Sequence, residues 1–141
     1  MTPLIVTIII LSLSFDFLNG IHDSSNIVAT MIASRAFHPR TALGITALAE
    51  FSGPFIFGVA VAETIGNEIV LPQTINLIVL LAALSSAILW NLLTWWLGIP
   101  SSSSHALIGG IIGAVVVGAG WDAIRMEGVG KVLVTLFTSP F

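Results

Sequence analysis

The sequence predicts an all-α membrane protein with broken or re-entrant helices, on three observations. Of 141 residues, 56% are apolar and 8% charged, against about a quarter charged in an ordinary soluble domain. Residues 69–121 contain no Asp, Glu, Lys or Arg; since about 20 apolar residues cross a bilayer, that stretch must enter the membrane at least twice. Two polar clusters, 19–26 and 100–105, interrupt apolar stretches of the sequence. A water-soluble monomer is excluded. Nucleic acid is not an expected partner, because 4 Lys/Arg against 7 Asp/Glu, a net charge of −3, give no basic stripe. Without cysteine there are no disulfides, thiolate metal sites or cysteine nucleophiles.

The elements follow in order. Met1 to Phe15 lacks a basic n-region and runs into Asp16 and Asn19-Gly20 instead of a small-residue cleavage site, so it reads as a retained helix and not a signal peptide. Asn-Gly terminates helices and Asp-Ser-Ser caps them, so the first crossing is expected as two half-helices, Leu4 to Leu18 and Ser24 to Ser34, broken near mid-membrane. Arg35, His38, Pro39 and Arg40 form a short basic loop. Thr41 to Ala62 is a second span, containing Glu50 and an expected kink at Gly53-Pro54. Glu63, Glu68 and Pro72 mark an acidic loop. A third span runs from Thr74 to Leu97, with Trp90, Trp95 and Trp96 toward its far end as an interfacial belt.

Next come Gly98-Ile99-Pro100 and four serines, an irregular piece without a charge, expected as a re-entrant tip or second broken helix buried in protein. His105 to Gly120 is short and glycine-rich, and Gly109-xxx-Gly113 would let another helix approach its backbone. Trp121 to Lys131 reads as amphipathic and interfacial, and Val132 to Phe137 begins a further apolar piece. The whole of 1–141 reads as a single transmembrane domain, multi-pass in the cytoplasmic membrane. The positive-inside rule puts the Arg35/Arg40 loop in the cytoplasm and the Glu63/Glu68 loop and the N-terminus outside.

Two clusters can carry chemistry. In Asn19-Gly20-Ile21-His22-Asp23-Ser24-Ser25-Asn26, Asp23 and Asn26 are three apart and share a helix face. A carboxylate at mid-membrane costs several kcal/mol unless paired, neutralised or metal-bound. Asp23, the Asn26 amide oxygen and exposed carbonyls would make a hard-oxygen site for Na⁺; the bland alternative is a helix cap and an interhelical hydrogen bond. In Pro100-Ser101-Ser102-Ser103-Ser104-His105, hydroxyls and free N–H groups at a helix start form an anion cradle without a fixed cation, or only a cap and linker. His22 and His105 are candidates to carry a proton or touch an anion, or are satisfied donors inside the bundle. Glu50 is either a partner for a polar group on another helix or a cation ligand. An intramembrane hydrolase fits poorly, since its nucleophile and base meet from separate helices while Ser104 and His105 are adjacent and point apart; no enzymatic activity is expected.

Together the clusters resemble the inorganic phosphate transporter (PiT) family, whose patterns are close to G-x-[NH]-D-x-x-N and P-x-S-x-[TS]-H-x-x-x-G. Gly20, His22, Asp23 and Asn26 match the first, and Pro100, Ser102, Ser104, His105 and Gly109 the second. His22 stands where sodium-coupled members commonly have Asn, which resembles the bacterial branch and leaves Na⁺, H⁺ or metal-phosphate coupling open. The resemblance implies cation-coupled phosphate symport and one half of an inverted-repeat transporter. The family carries two repeats and this chain one copy of each motif, so the expectation is a portion of a longer polypeptide whose remainder supplies the second repeat; a homo-oligomer is also expected.

Phosphate beside Asp23 in low dielectric would be repelled, and no Lys or Arg lies within the spans to compensate. Cations must therefore enter with it. The expected division has Asp23 and Asn26, with Glu50 a further candidate, holding Na⁺, or a proton on Asp23 or His22. Ser102, Ser103, Ser104 and adjacent N–H groups hold the phosphate, with Asn26 in reach of it. No other cofactor is expected. The alternatives are a sulfate permease of the same fold and a non-transporting membrane subunit that binds a partner through its glycine face.

Overall fold

The computed structural model describes residues 2–57 and 65–138, among which there are five α-helices and no β-strand. They are α1 (Pro3–Ala33), α2 (Pro39–Phe57), α3 (Leu77–Leu97), α4 (Ser103–Ala119) and α5 (Met126–Thr138). The all-α expectation holds. α1 and α3 are each long and apolar enough to cross a membrane, both with mean hydropathy 2.1. Leu13, Phe17, Phe55, Trp96 and Val117 are all more than 60% exposed, an outward apolar surface that suits lipid and would be costly in water. The end of the expected second span, from residue 58, and Glu63 lie outside the described residues.

The first correction concerns α1, which runs through Asn19-Gly20 as one 31-residue helix instead of two half-helices. The terminator signal is calibrated on segments whose freed backbone groups can turn to water. In hydrocarbon each such group costs several kcal/mol, more than the roughly 1 kcal/mol that glycine takes from a helix interior. The side chain that would have competed for the backbone is also committed elsewhere, since Asn19 accepts from Ser103. α1 ends at Ala33 with Ser34 as its C-cap, and Arg35 beyond it takes a left-handed φ of 57°. Pro39 then starts α2, a position where its missing N–H costs nothing.

α3 and α4 form an antiparallel hairpin. Asn76 caps α3 by accepting the Ile78 and Val79 N–H groups at 2.9 and 3.0 Å, and Gly98 closes it in the left-handed region at φ 66°. The piece between the two helices is accordingly a tight hairpin turn, not a second broken helix, and Trp90 Nε1 pins it by donating to Ser101 Oγ at 3.0 Å. The close helix approach expected at Gly109 and Gly113 falls at Gly110. A Cβ there would stand 2.7 Å from the Ala83 carbonyl oxygen and 2.7 Å from Ser86 Oγ, whereas Gly109 and Gly113 have nothing within 4 Å.

The expected acidic loop and the amphipathic segment form one packed cap at the opposite end of the hairpin. A π-helical turn, Ile65–Ile69, leads into a single antiparallel bridge between Val70 and Ile124, flanked by Leu71 N–H to Ala123 O and Arg125 N–H to Ile69 O, both 2.9 Å. Ile69, Val70, Ala123 and Ile124 are buried there against Val79 and Val115. The stretch expected as two pieces, Trp121–Lys131 and Val132–Phe137, is a 3₁₀ turn at Trp121–Ala123 followed by α5. Lys131 joins α5 to the turn through Glu68 at 3.1 Å; that hydrogen bond, then the charges of Glu68 and Glu127, raise its pKa above 10.5.

A Cβ at Gly128 would land on the Glu68 carbonyl. Gly128→Ala should therefore lift α5 off the turn and cost about 1–3 kcal/mol, read as a lower melting temperature in detergent. Gly130→Ala, with nothing within 4 Å of the added carbon, is the control expected to leave the melt unchanged.

Candidate functional site

Because α1 is unbroken, Asn19, His22, Asp23 and Asn26 fall at i, i+3, i+4 and i+7 and make one polar stripe along it. The stripe begins 16 residues into α1, about 24 Å along its axis, near the middle of a membrane crossing. α4 meets it with its first residue. Ser103 is fully buried, and its hydroxyl faces two acceptors on α1, Asn19 Oδ1 in a short contact and Asp23 Oδ1 at 3.4 Å. One proton serves two oxygens, so the cluster is rich in acceptors. Asp23 is half-buried, and among the described residues no cation is paired with it.

The rest of the α4 start faces elsewhere. Ser102 caps the helix by accepting the His105 N–H at 3.4 Å. The N–H groups of the first turn point out of the helix end, where the macrodipole favours negative charge. Ser102 and His105, with Trp90, Ser101, Gly109 and Gly110, border a groove of about 1170 Å³ between α3 and α4. The N-terminal turn of α4 thus presents Ser103 to the Asp23 carboxylate and Ser102 and His105 to an open groove. Two chemistries stand on one turn, acceptor oxygens on one side and anion-favouring donors on the other.

Of the residues singled out from the sequence, the structure brings Asp23 and Ser103 together. Asn26 is exposed on the stripe, Ser104 and His105 are exposed, and Glu50 stands exposed on α2 without a hydrogen bond or ion pair among the described residues. His22 is buried, with Nε2 unpartnered. Two residues escaped the sequence reading. Asn19 reads in the sequence as a helix terminator and in the structure is the acceptor for Ser103. Asn91, a lone amide in an apolar span, is fully buried on α3 with neither Oδ1 nor Nδ2 partnered; the cost of an amide at such depth was the signal available. Among the described residues no group of three His, Cys, Asp or Glu side chains could hold a metal ion.

The model of the phosphate transporter family matches residues 19–141. A probable low-affinity inorganic phosphate transporter of Bacillus subtilis (strain 168) is 46% identical over 139 residues, covering 97% of this chain and 41% of its own length. The protein of the same description from Streptomyces halstedii is 46% identical over 142 residues, covering 97% of this chain and 64% of its own. A low-affinity inorganic phosphate transporter of Escherichia coli (strain K12) is 36% identical over 140 residues, covering 91% and 28%. The chain thus spans less than two thirds of the length of each of these relatives. No solved structure matches it. Matched across the polar stripe of α1 and the hairpin turn that meets it, the chain belongs to the phosphate transporter family.

Proposed function

We propose that the protein moves inorganic phosphate across the cytoplasmic membrane by cation-coupled symport, with its N-terminus outside and alternating access around the Asp23–Ser103 cluster. The observation that carries this reading is Asp23, a half-buried carboxylate in an apolar bundle with a hydroxyl beside it and, among the described residues, no cationic side chain paired with it. An oxyanion brought near it in low dielectric is repelled unless a small positive ion arrives too. Coupling follows, since each ion alone leaves an uncompensated buried charge. Asp23 takes the cation, Na⁺ or a proton shared with His22, and Asn26 on the same stripe follows the ions as the site opens. Ser102 and the first N–H groups of α4 take the phosphate oxygens from the groove side, with Ser104 in the same turn, while Ser103 links the two halves. A second copy of both motifs elsewhere in the full protein would complete the site symmetrically.

Phosphate is preferred to sulfate on chemical grounds. Near neutral pH phosphate keeps one or two protons that a carboxylate or an amide oxygen can accept, and sulfate keeps none, so sulfate leaves the acceptors of the cluster unpaired. The test is uptake of radiolabelled phosphate into cells without other phosphate transporters. Uptake should follow an imposed sodium or proton gradient, collapse with the matching ionophore and persist in excess sulfate. Uptake indifferent to both gradients would overturn the symport, and full competition by sulfate would overturn the substrate.

A further inference from the structure

Among the described residues Asn91 is fully buried with both polar atoms of its side chain unpartnered. It lies in the C-terminal half of α3, and none of its surface is exposed. Leaving a buried amide unpaired costs about 1–3 kcal/mol for each polar group, so its place in the fold needs a reason.

The packing gives its surroundings. Phe15 packs in one cluster with Leu84 and Ala87 of α3 and with Ala106 and Leu107 of α4. Ser103, one turn before Leu107, meets Asn19, one turn after Phe15, so α1 and α4 are antiparallel. The hairpin makes α3 antiparallel to α4, and α3 therefore runs parallel to α1. Gly110 faces Ala83 and Ser86 across the hairpin, so two turns on along the antiparallel pair Ser103 (110−7) stands opposite the stretch from Trp90 (83+7) to Leu93 (86+7), which contains Asn91, while its hydroxyl meets Asn19 on α1. Asn91 is thus level with the hydroxyl that faces Asn19 and Asp23. The following layer holds His22 and Thr94; Thr94 is satisfied by its own backbone, donating to the Trp90 and Asn91 carbonyls at 2.9 and 3.1 Å.

We infer that Asn91 is a ligand residue, closing with Asn19 Oδ1, Asp23 Oδ1 and Ser103 Oγ an oxygen cage that holds a small, hard monovalent cation, sodium by size and charge, between α1 and the α3–α4 hairpin. This rests on the coupled-transport reading and adds to it a residue outside both sequence motifs. Three observations select a cation. The cage is built of oxygens, with one hydroxyl proton for two of them. Its carboxylate has no paired cation, since Lys131, which forms the ion pairs seen among the described residues, makes them with Glu68 and Glu127 at the opposite end of the hairpin. A water molecule would satisfy the amide and leave the charge. One carboxylate among neutral oxygens matches a single positive charge, and no set of three acidic or imidazole ligands is present for a divalent metal among the described residues. The two amides, fixed on different helices, also make the cage depend on α1 and α3 keeping their register.

The experiment measures sodium binding without phosphate. Full-length protein in detergent is melted at rising NaCl with choline chloride holding ionic strength constant, for the wild type, Asn91→Leu and Asn91→Asp. Leucine fills the volume and removes the unpaired groups, so without sodium this variant should melt no lower than the wild type. The wild type should gain stability saturably with sodium, Asn91→Leu should need at least about tenfold more, and Asn91→Asp, which keeps Oδ1, should retain the response. An equal sodium response in Asn91→Leu, or no saturable response in the wild type, would overturn the inference. Phosphate uptake by the wild type is scored separately, so failure to transport refutes the proposed function while the melts still decide the cage.

Discussion

Asp23→Asn is expected to abolish gradient-driven phosphate uptake while the protein stays inserted and folded. The side chain keeps its shape, and its one hydrogen bond, from Ser103 at 3.4 Å, can still end on an amide oxygen. What disappears is the negative charge that makes a cation worth binding in a low-dielectric bundle. Removing one partner of a buried charge pair costs about 3–5 kcal/mol, so uptake should fall by at least about a hundredfold. Labelled-phosphate uptake, normalised to the amount of protein in the membrane fraction, checks it. Helical circular dichroism of the purified variant separates lost function from lost fold. Uptake at the wild-type level would remove the charge argument altogether.

Much of this arrangement is legible in the sequence because the membrane imposes simple rules. Length and hydropathy place α1 and α3, the latter expected over Thr74 to Leu97 and found over Leu77–Leu97, whereas α2 and α4, expected from Thr41 and His105, begin earlier, at Pro39 and Ser103. The same rules mislead where a local signal meets a tertiary partner. Asn19-Gly20 reads as a stop because Asn side chains often bond their own backbone, but here the amide oxygen is taken by a serine 84 residues away. The half-helix picture fails for that reason, and with its failure Asn19, His22, Asp23 and Asn26 line up as a stripe. Ser103 could be picked out of a run of four serines only as a group, since which hydroxyl turns toward α1 depends on the rotation of α4 about its axis. Asn91 is one polar residue in a long apolar segment, and its layer appears only once α1, α3 and α4 are stacked. Periodicity also does not say which of Gly109, Gly110 and Gly113 faces α3, and the tempting small-xxx-small pair turns out to border the groove.

That last distinction carries a large structural effect. Gly110→Val would place a branched side chain where even the first carbon stands 2.7 Å from the Ala83 carbonyl oxygen and 2.7 Å from Ser86 Oγ. The carbonyl cannot swing away without giving up its α3 hydrogen bond in a medium that offers no replacement, so the helices must part. Overpacking at a fixed backbone costs about 1–3 kcal/mol and sometimes more, and valine adds its own penalty in a helix. The variant should therefore melt several degrees lower. Because Ser103 begins the same helix, separation of α3 from α4 should also draw it off Asn19 and Asp23, so uptake should fall even in protein that remains folded. Gly109→Ala and Gly113→Ala meet nothing within 4 Å and replace glycine with the best helix former, a gain of up to about 1 kcal/mol each. Their melts should be unchanged or higher unless another helix of the full-length protein occupies the groove, in which case both should drop together. A wild-type melt for Gly110→Val would mean that α3 and α4 are not in contact at this position, and the layer that joins Asn19, Asn91 and Ser103 would have to be redrawn.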